Sequence, residues 1–266
     1  MFYHAAASMD RGWSSPLFNL GLEAKRLGQW KQSLAFNQRA AQLNPEDEAA
    51  WWNLGIAATA LHNWREARRA WRAFGIELPK DDDNEDAEFL MDSGTCCVRL
   101  NPEDHGEVVW ARRIDPARAM ITSIPLIESN HRFRDIVLND GAPNGTRNRN
   151  GREVSVFDEL ELWEPSQYST FGVALTIPDE SAMETLVELA VQQEMNLEDW
   201  STVRMICAQC SKGNPGPHEC SSRASGHSQW AFGAQTKEAL ETLLMAWSRQ
   251  VPGAKYESIQ LLLAPQ

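Results

Sequence analysis

Long apolar runs are absent from this sequence of 266 residues, and its N-terminal segment lacks the pattern of a targeting signal. No stretch approaches the roughly 20 consecutive apolar residues that a membrane-spanning helix needs. Residues 1–13 show no basic region followed by a long apolar run, which is the pattern of a secretory signal. The sequence therefore predicts a cytoplasmic protein with no membrane partner.

Basic residues are in the minority, because 25 Lys and Arg stand against 37 Asp and Glu and the formal net charge is −12. A protein that grips a nucleic-acid backbone needs a basic footprint, so this balance argues against a nucleic-acid partner. The acidic excess is concentrated in residues 80–92, where seven acidic residues and one lysine give a net charge of −6.

Cysteine is scarce, and the common catalytic motifs are missing. Five cysteines in a chain expected in the cytoplasm argue against a disulfide framework. The sequence has no Gly-x-Ser-x-Gly elbow, no phosphate-binding Gly-Lys-Ser/Thr loop and no paired-histidine zinc helix. We therefore expect a protein that is not an enzyme. The alternative is an enzyme whose site lies near His105, His131 and the loop that carries Arg147, Arg149 and Arg152. This glycine-rich segment, residues 140–152, suits a phosphate, and the competing interpretation is a long loop or an exposed hairpin.

The N-terminal part contains an internal repeat with a period of 34 residues. The recurring pairs are Leu20-Gly21 and Leu54-Gly55, Ala24 and Ala58, Trp30 and Trp64, and Pro45 and Pro79. Glycine and alanine at these positions let two helices approach closely, and proline ends the second helix of each pair. A fixed period of this length predicts stacked helical hairpins.

This repeat resembles the tetratricopeptide family, most closely in the second unit, at Trp51, Leu54, Gly55, Ala67 and Pro79. The resemblance implies two helical hairpins over residues 1–79 that bind another protein through a concave groove. Carried over to this sequence, the groove positions are Phe18, Leu22, Lys25, Trp52, Ile56 and Thr59. The alternative for Trp52 is that its side chain packs on the C-terminal domain instead of a partner.

Residues 80–94 form an acidic segment that predicts a linker between domains, because its charges cannot be buried. A functional interpretation stays open beside this one. Asp81, Asp82 and Asp83 imitate the charge of a phosphate backbone and would block the basic active-site cleft of a toxin.

Residues 95–266 change from helical to mixed patterning. Short β-branched runs predict strands up to residue 162, and the final hundred residues follow the order β-α-β-β-α-β. The two predicted helices carry apolar residues at helical spacing, Met183, Leu186, Val187, Ala190 and Val191 in the first case. The sequence therefore predicts an α+β fold in which helical hairpins precede a mixed antiparallel-sheet domain with a ferredoxin-like portion.

The insertion at residues 207–227 predicts a structural zinc site with Cys207, Cys210, His218 and Cys220 as ligands. Thiolate and imidazole groups suit tetrahedral zinc, and four protein ligands leave no position for a catalytic water. His227 is an alternative ligand for His218 or Cys220. The competing interpretation is a loop with reduced surface thiols.

Taken together, the chain loosely resembles bacterial immunity proteins that neutralise type VI secretion toxin effectors. The resemblance implies a protein that inhibits a toxin or effector by direct binding, using aromatic anchors and charge complementarity. The alternative is an enzyme or a metal-dependent regulatory or adaptor protein that acts through the β-rich C-terminal domain.

Overall fold

The structure is a computed structural model that describes residue 3 and residues 12–79, 84–104, 106–205, 208–212, 223–224, 226 and 229–266. The protein is of the α+β class, because helices form its N-terminal part and a mixed, sheet-containing part follows. The chain divides into two compact units. The first comprises residues 1–94, 113–119 and 137–142, and the second comprises residues 95–112, 120–136 and 143–266.

Four consecutive helices form most of the first unit. They are α1 (Ser14–Arg26), α2 (Trp30–Leu43), α3 (Glu48–Ala60) and α4 (Trp64–Phe74). Asp47 and Asn63 cap α3 and α4, since their side-chain oxygens accept hydrogen bonds from the first-turn amides. Gly75, with φ of 99°, ends α4 in the left-handed conformation. The prediction that Pro79 ends this helix is therefore wrong, because Gly75 stops it four residues earlier.

Two glycines allow these helices to approach closely, as the repeat predicts. A Cβ atom on Gly55 would lie 2.5 Å from Cη2 of Trp71, and one on Gly21 would lie 2.5 Å from Nδ2 of Asn37. Real Cβ atoms do not approach a neighbour this closely. The recurrence of Gly at the same position of the 34-residue period thus has a steric cause: the neighbouring helix fills the space that a side chain would need.

The next five strands form a closed sheet in the order β1-β2-β3-β4-β5. They are β1 (Thr95–Arg99), β2 (Val108–Arg113), β3 (Arg118–Ile121), β4 (Ile136–Arg149) and β5 (Arg152–Glu164). β1 pairs with β2 in antiparallel and with β5 in parallel orientation. Asn150 and Gly151, both with positive φ, make the turn between β4 and β5. The glycine-rich segment 140–152 is thus a hairpin.

The remaining elements include two long helices and several short strands. In chain order they are β6 (Ser169–Val173), β7 (Leu175–Thr176), α5 (Glu180–Gln192), β8 (Asn196–Asp199), β9 (Arg204–Met205), α6 (Ala208–Ser211), β10 (Arg223–Ala224), β11 (Trp230–Ala234), α7 (Lys237–Gln250), β12 (Lys255–Tyr256) and β13 (Gln260–Leu263). Among the described residues, no helix combines the length and the apolar character that a bilayer-spanning segment requires.

A second sheet has the strand order β13-β6-β11-β8 and contains antiparallel pairs throughout. Leu186 of α5 and Leu244 and Trp247 of α7 pack with Phe232 of the sheet in one core. The sequence pattern predicts a strand at residues 202–206, and β9 lies within that range, but it pairs with β10 and is not part of the second sheet. The strand of this sheet is β8, and it is followed by a 3-10 turn in which buried Trp200 donates a hydrogen bond to the carbonyl of Ile124 at 3.0 Å.

Candidate functional site

The predicted groove residues of the helical unit lie at different depths. Ile56 and Thr59 are buried, Lys25 is 4% exposed, and Phe18 and Leu22 are partly buried. Lys25 and Ile56 therefore belong to the interior of this unit, and a partner would reach them only after a rearrangement.

Two of the predicted groove residues, Lys25 and Trp52, contact other parts of the same compact unit. Lys25 Nζ donates to Asn53 Oδ1 at 2.9 Å and to Asp140 Oδ1 at 2.8 Å. Trp52 faces Gly141, where a Cβ atom would lie 1.6 Å from the indole Nε1. Residues 140 and 141 belong to β4 and to the same compact unit as the helices. Two of the groove positions, Lys25 and Trp52, thus contact the chain's own strand.

The acidic segment is neutralised in part by the basic side chains of α4. Arg72 Nη1 lies 2.9 Å from Glu85 Oε2, and Arg65 Nη2 lies 2.6 Å from Asp86 Oδ2. The hydrogen bond from each arginine lowers the pKa of its carboxylate partner. Residues 81–83 lie outside the described residues. The described part of the segment is therefore a strap along α4 rather than a freely solvated tract.

The predicted zinc ligands are mostly outside the described residues, as is the alternative ligand His227. Cys207, His218 and Cys220 cannot be placed, whereas Cys210 lies in α6 and is exposed. Within the described ranges, no group of three His, Cys, Asp or Glu side chains has the arrangement of a metal site. Zinc binding at this cluster stays a prediction, and elemental analysis of the purified, reduced protein tests it.

His131, which the alternative enzyme interpretation places near its site, is buried in the second unit and paired with Glu159. His131 Nε2 lies 2.6 Å from Glu159 Oε1, and Nδ1 lies 2.8 Å from the carbonyl oxygen of Ser129. Since a carbonyl oxygen only accepts, Nδ1 carries a proton. Burial lowers the pKa of His131, but the hydrogen bond and charge of Glu159 outweigh it, so the net pKa is raised. His105 lies outside the described residues.

A cavity of about 340 Å³ borders this histidine–glutamate pair. Its other lining residues include Asn101, Asn130 and Leu160. Both ring nitrogens of His131 face oxygen atoms of the protein, and Glu159 Oε2 accepts a hydrogen bond from the Asn101 amide at 2.9 Å. In this conformation the imidazole has no nitrogen left to exchange a proton with a molecule in the cavity.

Two partly buried glutamates near the segment 123–129 were not identified from the sequence. Both oxygens of Glu107 accept from the Leu126 amide, at 3.0 and 3.1 Å. Burial raises the pKa of Glu107 and of Glu198 to about 7 in each case, and the charge of Glu198 adds to the shift of Glu107. Glu198 lies in β8, which the sequence pattern did not predict, so no sequence signal placed the two carboxyls together.

The outward face of α5 exposes two of the apolar residues that lie at helical spacing. Leu186 and Ala190 are buried, but Val187 is 40% exposed and Val191 is 65% exposed. The apolar positions at helical spacing therefore divide between the core and the surface. Helical spacing does not by itself decide which apolar residues face the core, and the core formed with the sheet includes Leu186 and Ala190 but not these two valines.

Carboxylates surround these exposed valines, and α5 contains no Lys or Arg. Glu180, Glu184 and Glu188 recur at four-residue intervals on the exposed side. Glu180 lies in the first turn, where a negative charge stabilises the helix. Like charges four residues apart destabilise a helix by a few tenths of a kcal/mol, so the other two have no stabilising role within α5.

Comparisons with known proteins give little additional information. No family model matches this chain, and no curated protein matches it. Among solved structures, a hypothetical protein from Neisseria gonorrhoeae shows similarity at 13% identity and a TM-score of 0.23. That match covers 63% of this chain and 93% of the other. A TM-score this low carries no argument about fold or function.

Proposed function

We propose that this chain is a cytoplasmic binding protein of the immunity type, which inhibits a toxin or effector by direct contact. The observation that carries the proposal is the outward face of α5, where Val187 and Val191 are exposed beside Glu184 and Glu188. An apolar centre with a polar, solvent-accessible rim is the usual anatomy of a protein-binding surface.

The chemistry of this face specifies the chemistry of its partner. Covering each valine would contribute at most about 1.5 kcal/mol from apolar burial. The carboxylates attract a basic surface, accelerate its association and disfavour acidic partners. The net charge of −12 acts in the same direction at longer range. A basic active-site cleft or a basic helix of a toxin fits these requirements.

The folds of the two units support the same proposal. We infer that the four helices are two tetratricopeptide-like hairpins. The 34-residue period and the close approaches at Gly21 and Gly55 support this inference. We also infer a ferredoxin-like arrangement for β6-α5-β8-β11-α7-β13, supported by the strand order β13-β6-β11-β8. In that arrangement α5 lies on one face of a sheet, and its outer side is available to a partner.

The test is co-expression with the products of neighbouring genes, one at a time, followed by growth measurement and size-exclusion chromatography. We expect one product to be toxic alone and to be neutralised in a stable complex with this chain. Neutralisation of none of these products, together with no complex, would contradict the proposal.

Matched variants then locate the surface. The double variant Glu184→Lys/Glu188→Lys should weaken the complex by about tenfold or more, since it reverses two charges at the proposed contact. The control, Glu46→Lys/Glu103→Lys, makes the same change in net charge at two exposed positions elsewhere. Equal weakening by both variants would indicate a general charge effect and would reject α5 as the contact surface.

A further inference from the structure

Two arginines of the second unit converge on one serine. Arg99 of β1 and Arg147 of β4 both direct guanidinium groups to Ser211, the last residue of α6. Arg99 Nη2 lies 2.8 Å from the carbonyl oxygen of Ser211, and Arg147 Nη1 lies 3.3 Å from the same atom. Arg147 Nη2 also lies 3.1 Å from the Ser211 hydroxyl oxygen, and Arg99 Nη2 lies 3.4 Å from it.

The positive charge at this point exceeds the negative charge. Asp158 pairs with Arg99, opposite which it lies in the parallel β1–β5 register. In the part of the chain that the structure describes, the hydrogen bonds of Arg147 go to neutral oxygens, those of Thr146 and Ser211. Counted over the described residues, the site therefore holds two cations and one carboxylate, which leaves one positive charge without a balancing anion among them.

Burial makes this excess of positive charge unfavourable. Arg99 is 1% exposed, and no described residue accepts a hydrogen bond from its buried Nε. Burial and the charge of Arg99 both lower the pKa of Arg147. A buried guanidinium without a carboxylate partner costs free energy, and carbonyl or hydroxyl oxygens compensate only in part. The arrangement is that of an anion site in which neutral oxygens take the place of the anion.

A glycine in β4 allows the backbone of Ser211 to approach this strand closely. Gly145, with φ of 103°, lies in β4, and a Cβ atom there would be 2.7 Å from the carbonyl oxygen of Ser211. Asn144 contributes its carbonyl oxygen to Arg99 and its side-chain amide to Asp158. These contacts hold the Arg99 guanidinium in place before any ligand arrives. A fixed pair of guanidinium groups matches a tetrahedral oxyanion, which accepts several hydrogen bonds at once.

We propose that Arg99 and Arg147 form a binding site for a phosphoryl oxyanion, which Ser211 fills with neutral oxygens in this structure. The phosphoryl group has two possible sources. A free phosphate or phosphomonoester would displace the oxygens of Ser211. In the other case, a protein kinase transfers the γ-phosphoryl group of a nucleoside triphosphate to Ser211 Oγ; the new P–O bond replaces the bond to the departing nucleoside diphosphate, and the hydroxyl proton is released. That phosphoryl group would reach both arginines from its own side chain.

Inorganic phosphate is the probe for the free ligand, with the full chain and with chloride at equal ionic strength as the reference. We expect saturable binding in calorimetry and a higher Tm in phosphate. Arg147→Gln should weaken phosphate binding by about tenfold or more, because a charge-assisted bidentate contact is lost. Arg152→Gln removes the same charge from an exposed position of the hairpin and should change the affinity less than about twofold.

Two substitutions at Ser211 test the second source without removing an arginine. Ser211→Asp adds a tethered carboxylate, and Ser211→Asn is its neutral control of nearly equal size. We expect Ser211→Asp to have a Tm about 3 °C above that of Ser211→Asn, because it supplies the missing negative charge. If the site is used by free phosphate, Ser211→Asp also abolishes phosphate binding.

The outcomes separate the alternatives. Phosphate binding that depends on Arg147 supports a free ligand. No phosphate binding, together with a more stable Ser211→Asp protein, supports a phosphoryl group carried by Ser211. No phosphate binding and equal Tm values for the two Ser211 variants would overturn the proposal.

Discussion

Lys25 Nζ lies 2.8 Å from Asp140 Oδ1, and this ion pair joins a helix to a strand segment within the first compact unit. The lysine is almost fully buried, and the same ammonium group donates to Asn53. A position that the repeat pattern assigns to a partner-binding groove is thus used to hold the chain's own β4. The pair has a direct consequence for stability.

The first prediction concerns removal of one member of this pair. Asp140→Asn should lower the free energy of unfolding by about 3 kcal/mol, because it leaves the buried Lys25 charge without a carboxylate. Urea denaturation measures the change. Lys25→Met/Asp140→Asn should recover part of the loss, since the double variant removes the charge as well. The control Asp86→Asn, in an exposed pair, should leave stability nearly unchanged.

The second prediction concerns the contact between Gly55 and Trp71. Gly55→Ala should destabilise the protein by about 1–3 kcal/mol, because its Cβ would overlap the indole ring. Trp71→Phe removes the part of the ring that the methyl group would strike. The double variant should therefore be more stable than the sum of the two single effects predicts, and additive effects would show that the two residues do not compete for this space.

The helical part was the most predictable from the sequence, and its limits have physical causes. A 34-residue period with Gly and Ala at fixed positions indicated helix pairs, and Gly55 does face Trp71 of the next helix. The end of α4 was misplaced because Pro79 is the conspicuous breaker, whereas the left-handed Gly75 terminates the helix first. The sequence shows that residue 75 is a glycine, but whether it adopts the left-handed conformation depends on the contacts around it.

The candidate sites were much less predictable than the helices. Arg99 and Ser211 are 112 residues apart, so only the tertiary fold brings them together. The exposure of Val191 depends on how wide an arc the sheet covers, which a helical pattern does not contain. The raised pKa of Glu198 depends on burial in β8, a strand without a strong alternating pattern.

The third prediction is a fall in stability as the pH rises through the range in which Glu107 and Glu198 titrate. Their carboxyls ionise near pH 4.5 in the unfolded chain and near pH 7 in the folded one. Between these values the folded state binds more protons, so the free energy of unfolding decreases as the pH rises.

Glu198→Gln should reduce this decrease by roughly 1–3 kcal/mol, because one of the two groups no longer titrates. Denaturant titrations at pH 5 and pH 8 measure it. Glu153→Gln, at an exposed position, is the control. An identical pH dependence for wild type and Glu198→Gln would show that Glu198 ionises normally.

The fourth prediction concerns the strap along α4. Phe89 is 2% exposed, and its ring lies 6.1 Å from that of Trp64 and 4.7 Å from the Arg68 guanidinium carbon. Phe89→Ala should cost about 3–5 kcal/mol, because a cavity replaces the ring. The neighbouring Leu90 is 61% exposed, so Leu90→Ala should change stability by less than about 0.5 kcal/mol. Equal effects of the two substitutions would mean that the strap is not anchored at Phe89.

The fifth prediction concerns the proton held between His131 and Glu159. Because the folded-state pKa of His131 is raised, its protonation stabilises the fold below pH 6.5, and this contribution is lost as the pH rises through the folded-state pKa. Glu159→Gln removes the charge that raises the pKa but keeps the imidazole buried. Burial alone disfavours the imidazolium, so the pKa of His131 should fall below its ordinary value.

The sign of the pH dependence therefore reverses for this group, and in Glu159→Gln the contribution of His131 increases as the pH rises. NMR titration of the imidazole Cε1–H signal measures the pKa directly, and denaturant unfolding at pH 5 and pH 8 measures the slope. The control is Glu161→Gln, two residues further along β5. It removes an equal charge and leaves the contact between Glu159 and the imidazole in place. If the pKa of His131 fell equally in both variants, the shift would come from the overall negative charge of β5 and not from the 2.6 Å contact with Glu159.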